Sequence, residues 1–243
     1  MSEKWDALLS AQAGRDTPVE LSRRSCDPDA PVVTYRSRLF HLEPDGSIIV
    51  ERPVQAMRDK AFSDGDDIEI VLIDKNERMV ATCTIRATFS HKINAAVSVT
   101  CYRLSPGRRP QREQRRSFYR VSVAALDLPA VQLVHDNDDG VFQFNARMVN
   151  LSGGGLGVSV RDRSEVLHKI KRTRTFNCYA RFDSANTLVA PVIVRHISAI
   201  GDDGLYLGLQ FQVADVNESR ILQDRLQHLC TEFQRASLKR RRA

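Results

Sequence analysis

Val141-Phe142-Gln143-Phe144-Asn145-Ala146-Arg147-Met148-Val149-Asn150-Leu151-Ser152-Gly153-Gly154-Gly155-Leu156-Gly157-Val158-Ser159-Val160 decides how the second half of the chain folds. Its two ends, Val141 to Asn150 and Leu156 to Val160, are rich in β-branched and aromatic residues and read as strands. Between them the three successive glycines permit positive φ and close approach of the backbone. Their N–H groups can then form a concave anion site, and Asn150 and Ser152 add short polar groups able to bond a base edge or a phosphate. A tight glycine-rich hairpin that holds nothing has the same sequence.

Working outward, the same strand-and-turn pattern continues in both directions. Further strands are expected at Phe118 to Val123, Val131 to Val134, Thr175 to Phe182, Leu188 to Ile197 and Leu205 to Val213, with a hairpin turn over His135 to Gly140 whose Asp-Gly end suits positive φ. In the first half, strands are expected at Val33 to Leu42, Ser47 to Glu51, Ile68 to Ile73, Met79 to Phe89 and Ala95 to Tyr102. Pro44-Asp45-Gly46, Asp64-Gly65-Asp66 and Asp74-Lys75-Asn76 are their turns. Strand spacing of this kind suits a small barrel. A short helical opening would put Trp5, Leu8 and Leu9 on one apolar face. From Asp215 the period changes to about 3.6, with Ile221, Leu222, Leu226, Leu229 and Phe233 on one stripe, so the chain ends in an amphipathic helix. Asp215 to Glu218 resembles a capping box, and Lys239 to Arg242 suit the negative end of the helix dipole. The stripe fits packing against the barrel or a dimer seam.

The 243 residues, 42% hydrophobic and 27% charged, suffice for two folded domains. No run approaches the roughly 18 to 20 apolar residues of a membrane-spanning helix, and the opening lacks the layout of a signal peptide, so a cytoplasmic location is expected. Cys26, Cys83, Cys101, Cys178 and Cys230 are odd in number and widely separated, and the histidines show no ligand spacing; neither a disulfide framework nor a metal site is indicated. The net charge of +6 is concentrated: Arg103, Arg108, Arg109, Arg112, Arg115, Arg116 and Arg120 stand against the single acid Glu113. Ser105-Pro106-Gly107-Arg108-Arg109-Pro110 resists both helix and sheet and marks a linker. The expected architecture is therefore mainly β: two small antiparallel barrel-like domains joined by a basic linker, with a C-terminal amphipathic helix. The boundaries are 1–106 for the first domain, 107–116 for the linker and 117–243 for the second domain with its helix.

The linker runs into Gln114-Arg115-Arg116-Ser117-Phe118-Tyr119-Arg120-Val121, with arginines at i and i+4 where a flexible segment becomes a strand. Guanidinium groups suit guanine nucleotides in three ways: they donate two parallel bonds to O6 and N7, stack on the base and pair with phosphate oxygens. Arg116-x-x-x-Arg120 followed by Asn150-x-Ser152-x-x-Gly155 resembles the two-part signature of the PilZ domain family, and Leu205 to Phe211 looks like that family's closing strand with its Gly-x-x-Phe. The resemblance covers residues 111 to 214. It implies a six-stranded antiparallel barrel that binds cyclic di-GMP. Arg116 and Arg120 would contact guanine and phosphate, and Asn150, Ser152 and Gly155 would form the barrel side of the pocket. Gln114-Arg115-Arg116 resembles the segment found in flagellar-brake members, which also have a mostly β domain before the linker. By that analogy Arg115 joins the site, and the partner is a protein effector in a flagellar motor or a polysaccharide machine.

The resemblance implies a receptor that needs no cofactor beyond its ligand. An enzyme would require an activated nucleophile, an acid and base pair or a metal; Ser152 lacks the G-x-S-x-G elbow, and the acids from Asp136 to Asp139 sit in a turn. Two other readings are a nonspecific nucleic-acid binder, which would have no need of the distant glycine motif, and a PilZ-like module that contacts only protein.

Overall fold

A computed structural model describes residues 2–15, 17–23, 30–74, 77–94, 96–113, 118–124, 126, 128, 130–137, 140–161, 163–182, 186–201 and 203–242. The chain divides into two units, Met1–Arg115 and Arg116–Ala243, and is mainly β in both.

The first unit runs α1 (Ser2–Gln12), β1 (Thr17–Ser22), β2 (Val32–Leu42), β3 (Ile48–Glu51), α2 (Val54–Arg58), β4 (Asp67–Asp74), β5 (Glu77–Lys92), β6 (Ser98–Leu104) and β7 (Arg108–Arg112). Antiparallel pairings β1–β4, β4–β5, β5–β6, β6–β3, β3–β2 and β2–β1 close into a ring. Period two explains its core: Ile68, Ile70 and Leu72 of β4 and Met79, Ala81, Cys83 and Ile85 of β5 all point inward and are buried. α1 adds Trp5 and Leu9, one helical turn apart, to the same core, with Leu8 packed beside them. Asp45 ties the turn between β2 and β3, its carboxylate accepting from the backbone N–H of Ser47 at 2.8 Å and from its hydroxyl at 2.9 Å. Those bonds hold the carboxyl below its ordinary range.

The structure corrects the expected linker. Residues 108–112 form β7, which pairs with β5 through Arg108↔Thr82, Gln111↔Val80 and Arg112↔Met79 and follows the edge that β6 occupies further along. Pro110 is tolerated because it falls at a register shift, where Arg109 and Pro110 together face Ala81 and no regular ladder bond is required. Arg78 fixes the end of the strand: Nε donates to Glu113 at 2.9 Å and Nη1 to Glu20 at 2.8 Å. Gly107 is a packing position, since a Cβ there would stand 2.7 Å from Nε1 of Trp5. Gly107→Ala is expected to displace the indole and cost roughly 1 to 3 kcal/mol. Trp5 is the only tryptophan, so its fluorescence during urea unfolding reads this change directly.

The second unit runs β8 (Arg120–Ser122), β9 (Val131–Asn137), β10 (Gly140–Ser152), β11 (Gly155–Val160), α3 (Arg163–Arg172), β12 (Thr175–Arg181), β13 (Thr187–Ile200), β14 (Gly204–Phe211) and α4 (Val216–Arg242). Six strands again close a ring, through β9–β10, β10–β11, β11–β14, β14–β13, β13–β12 and β12–β9, while β8 adds to β10. Gly140 has φ 115°, as the Asp-Gly turn requires; Asp138 and Asp139 lie outside the described residues. α3 is not anticipated in the sequence. Its apolar face is short, with Val166 and Ile170 buried one turn apart and Leu167 half-buried beside them in a strongly basic segment.

α4 starts where the sequence predicts, with Asp215 Oδ1 accepting from the Glu218 N–H at 2.9 Å. Its buried face is Leu226, Leu229 and Cys230, with Leu222 and Phe233 partly covered, and it packs against β8 and β10. Ile221, expected on this stripe, is 68% exposed, because one residue of offset turns it about 100° from Leu222. Among the described residues no helix is long and apolar enough to cross a membrane.

The described cysteines are free and buried, and Cys26 lies outside the described residues. Burial pushes the Cys83 and Cys178 thiols up to about 12 and Cys101 up to about 11, which leaves them protonated and poorly nucleophilic.

Candidate functional site

The register of β8 against β10 builds the site. Arg120 pairs with Ser152, Val121 with Leu151 and Ser122 with Asn150. Directly paired residues of an antiparallel ladder share a face, and neighbours along a strand alternate. Val121 and Leu151 therefore go to the core, where they are 5% and 0% exposed, while Arg120, Ser122, Asn150 and Ser152 share the other face. β11 extends this face with Gly155 opposite Ser152 and Gly157 opposite Asn150, and β14 extends it with Gln210 opposite Gly155 and Gly208 opposite Gly157. Residues 30 positions apart in sequence, Arg120 and Asn150, are thus brought onto one surface. Arg120 is exposed there, with its guanidinium accessible to a ligand. Arg115 and Arg116 lie outside the described residues.

Ser152 and Gly155 pair across a turn of two residues, Gly153 and Gly154. Among the described glycines, those with positive φ are Gly14, Gly46, Gly65, Gly140 and Gly201, so the positive φ expected of the glycine run is not used. Close approach, the other property expected of them, explains these glycines. A Cβ on Gly153 or Gly154 would come within 2.9 Å or 2.8 Å of the Phe118 ring, which lies against the turn. Phe118 is half-buried in this role, and its neighbour Tyr119 is 71% exposed. A Cβ on Gly155 would sit 2.0 Å from the Leu209 carbonyl oxygen, so only glycine lets β14 close against β11. A cleft of about 260 Å³ opens beside the turn, lined by Phe118, Gly153, Gly154 and Gln210 and by Ser219 and Leu222 near the start of α4.

Ser152 is buried and its hydroxyl donates to the Gly155 carbonyl at 3.0 Å, bracing the turn from within. Ser152→Ala is expected to cost roughly 1 kcal/mol, read as a lower urea midpoint. Asn150 donates from Nδ2 to Tyr206 Oη at 3.0 Å. Tyr206 was not singled out in the sequence. It stands two residues before Gly208 on the shared face, where a lone tyrosine in a strand carries no signal without the register.

Residues 114–231 match the family model described as the PilZ domain. The second unit is a PilZ domain. The structure also resembles Escherichia coli YcgR in complex with c-di-GMP, at 15% identity over 99% of this chain and 93% of that one, with a TM-score of 0.54. That likeness is one of fold and spans both units. Weaker likenesses are to the K. pneumonia MrkH–c-di-GMP complex (13% identity, 97% of each chain, TM-score 0.49) and to Bacillus subtilis MotI/DgrA, inhibitor of motility (15% identity, 90% of this chain and 96% of that one, TM-score 0.43). No curated protein sequence matches the chain. Within the PilZ domain, the resemblance seen in sequence acquires a geometry: Arg120 of the first motif is laddered to Ser152 of the second.

Proposed function

We propose that the protein is a cytoplasmic receptor for cyclic di-GMP and not an enzyme. The register that puts Arg120 opposite Ser152, on the face that also carries Asn150 and Gly155, is the observation that carries the reading. Guanidinium groups from Arg120, Arg116 and Arg115 meet the guanine edge and the phosphates, while Asn150 supplies hydrogen bonds from the barrel. Ser152 and Gly155 act mainly by fixing the turn, because the serine hydroxyl already has a partner and the glycine has no room for a side chain.

Binding is passed on as a change in how the two units are oriented, which alters what a protein partner meets; a flagellar motor and a polysaccharide machine are the candidate partners. β7 is laddered to β5 and Glu113 is held by Arg78, so the change does not involve residues 108–113, which precede Arg115 and Arg116 in the chain. A ligand that contacts those arginines in only one arrangement shifts the population toward it.

Calorimetric titration tests the binding: cyclic di-GMP should bind at micromolar concentration or tighter, and GTP should not reproduce it. Absence of heat at every temperature and salt concentration would leave the domain as a protein-contact module. Small-angle scattering tests the reorientation, and superimposable profiles with and without bound ligand would remove it.

A further inference from the structure

The shared face of the PilZ domain contains two glycines side by side across β11 and β14, Gly157 and Gly208, flanked in register by Asn150 on one side and His196 on the other. Neither glycine has φ in the left-handed region, so backbone freedom does not account for them. What they provide is a trough. The Tyr206 side chain fills it: a Cβ on Gly157 would stand 2.2 Å from Tyr206 Oη and 2.7 Å from Asn150 Nδ2. His196 flanks the phenol ring edge-on, with centroids 5.9 Å apart. The hydroxyl is thereby brought to the side of the sheet where Asn150 stands, and it accepts from Asn150 Nδ2 at 3.0 Å.

This bond matters because the carboxamide has two unlike arms. Nδ2 can only donate and Oδ1 can only accept. Guanine presents N1–H and the 2-amino group side by side, so an acceptor is the useful arm toward that edge. We propose that Tyr206 is a positioning residue for guanine recognition: it holds Nδ2 of Asn150 and commits Oδ1 to the ligand. Gly157 is small so that the phenol can reach across, while Gly208 leaves room for His196, whose Cβ would stand 3.0 Å from an added methyl. The inference rests on the cyclic di-GMP reading above.

An aspartate at position 150 would have two equivalent acceptors and no need of orientation, and this separates positioning from packing. Calorimetric titrations with cyclic di-GMP would compare the wild type, Tyr206→Phe, Asn150→Asp and the double variant, each with a melting curve. Phenylalanine keeps the ring in its trough, so the melting temperature should hold. Tyr206→Phe should weaken binding about fivefold in the asparagine protein, the worth of one neutral hydrogen bond. In the Asn150→Asp background the same change should cost less than about twofold. Equal losses in both backgrounds would make Tyr206 a packing residue and overturn the proposal, as would an unchanged affinity for Tyr206→Phe. Loss of binding in Asn150→Asp alone would show that the amide N–H meets the ligand, and would overturn it too. A wild type that does not bind would bring down the receptor reading together with this inference, whereas the other outcomes leave that reading standing.

Discussion

Replacing Gly155 with alanine is expected to destabilise the PilZ domain by roughly 3 kcal/mol or more and to abolish binding of cyclic di-GMP. The added methyl would have to occupy a point 2.0 Å from the Leu209 carbonyl oxygen and 3.2 Å from the Gln210 Cα. Both obstacles are backbone, so no rotamer change relieves them. The strand pair β11–β14 must part at Gly155↔Gln210, and that pairing is one of the six that close the ring. The Ser152 hydroxyl would lose its aim at the Gly155 carbonyl at the same time. Differential scanning calorimetry would read a fall of roughly 10 °C or more in the transition of the second unit. A Gly155→Ala protein with an unaltered melting temperature would show that β14 does not close against β11 as described.

The second large effect is expected in binding alone. Arg116→Ala combined with Arg120→Ala should weaken cyclic di-GMP roughly a hundredfold or more, since each bidentate contact to guanine is worth roughly 1 to 3 kcal/mol. The fold should be spared: Arg120 is exposed, and its ladder partner Ser152 is bonded through backbone and to Gly155 rather than to the guanidinium. Arg120→Ala by itself should account for about one to two orders of magnitude. Retained affinity in the double variant, with an unchanged melt, would move the ligand away from this face.

The contrast between these variants reflects what a sequence can carry. Strands such as β4, with Ile68, Ile70 and Leu72 inward, are legible because burial imposes period two on the residues themselves. Arg120, Asn150, Ser152 and Gly155 are legible as a spaced pair of motifs, but their meeting depends on the register between β8 and β10, which no local pattern states. β7 was hidden by Pro110, which has no N–H to give a ladder, and by the lack of any apolar alternation among its arginines; a register shift opposite Ala81 accommodates the proline. α3 was hidden because its apolar face is a single short cluster, Val166, Leu167 and Ile170, among basic residues. Of the two properties expected of the glycine run, φ freedom is not used and close approach is, but the groups that approach, the Phe118 ring and the Leu209 carbonyl, lie 35 and 54 residues from Gly153 and Gly155 and are not named by the run itself. Tyr206 is the same case: its neighbours are Gly157 and Asn150, on strands that its own local pattern does not name.

Heteronuclear NMR titration of the full chain with cyclic di-GMP tests the central claim most directly, because it locates the ligand instead of only detecting it. The account predicts that the largest amide shifts fall on Arg120 to Ser122, Asn150 to Gly157 and Tyr206 to Gln210, with the Arg120 guanidinium Nε–H moving as binding saturates. Saturable binding whose shifts lie on other strands of the ring, leaving Arg120 and Asn150 unmoved, would contradict it.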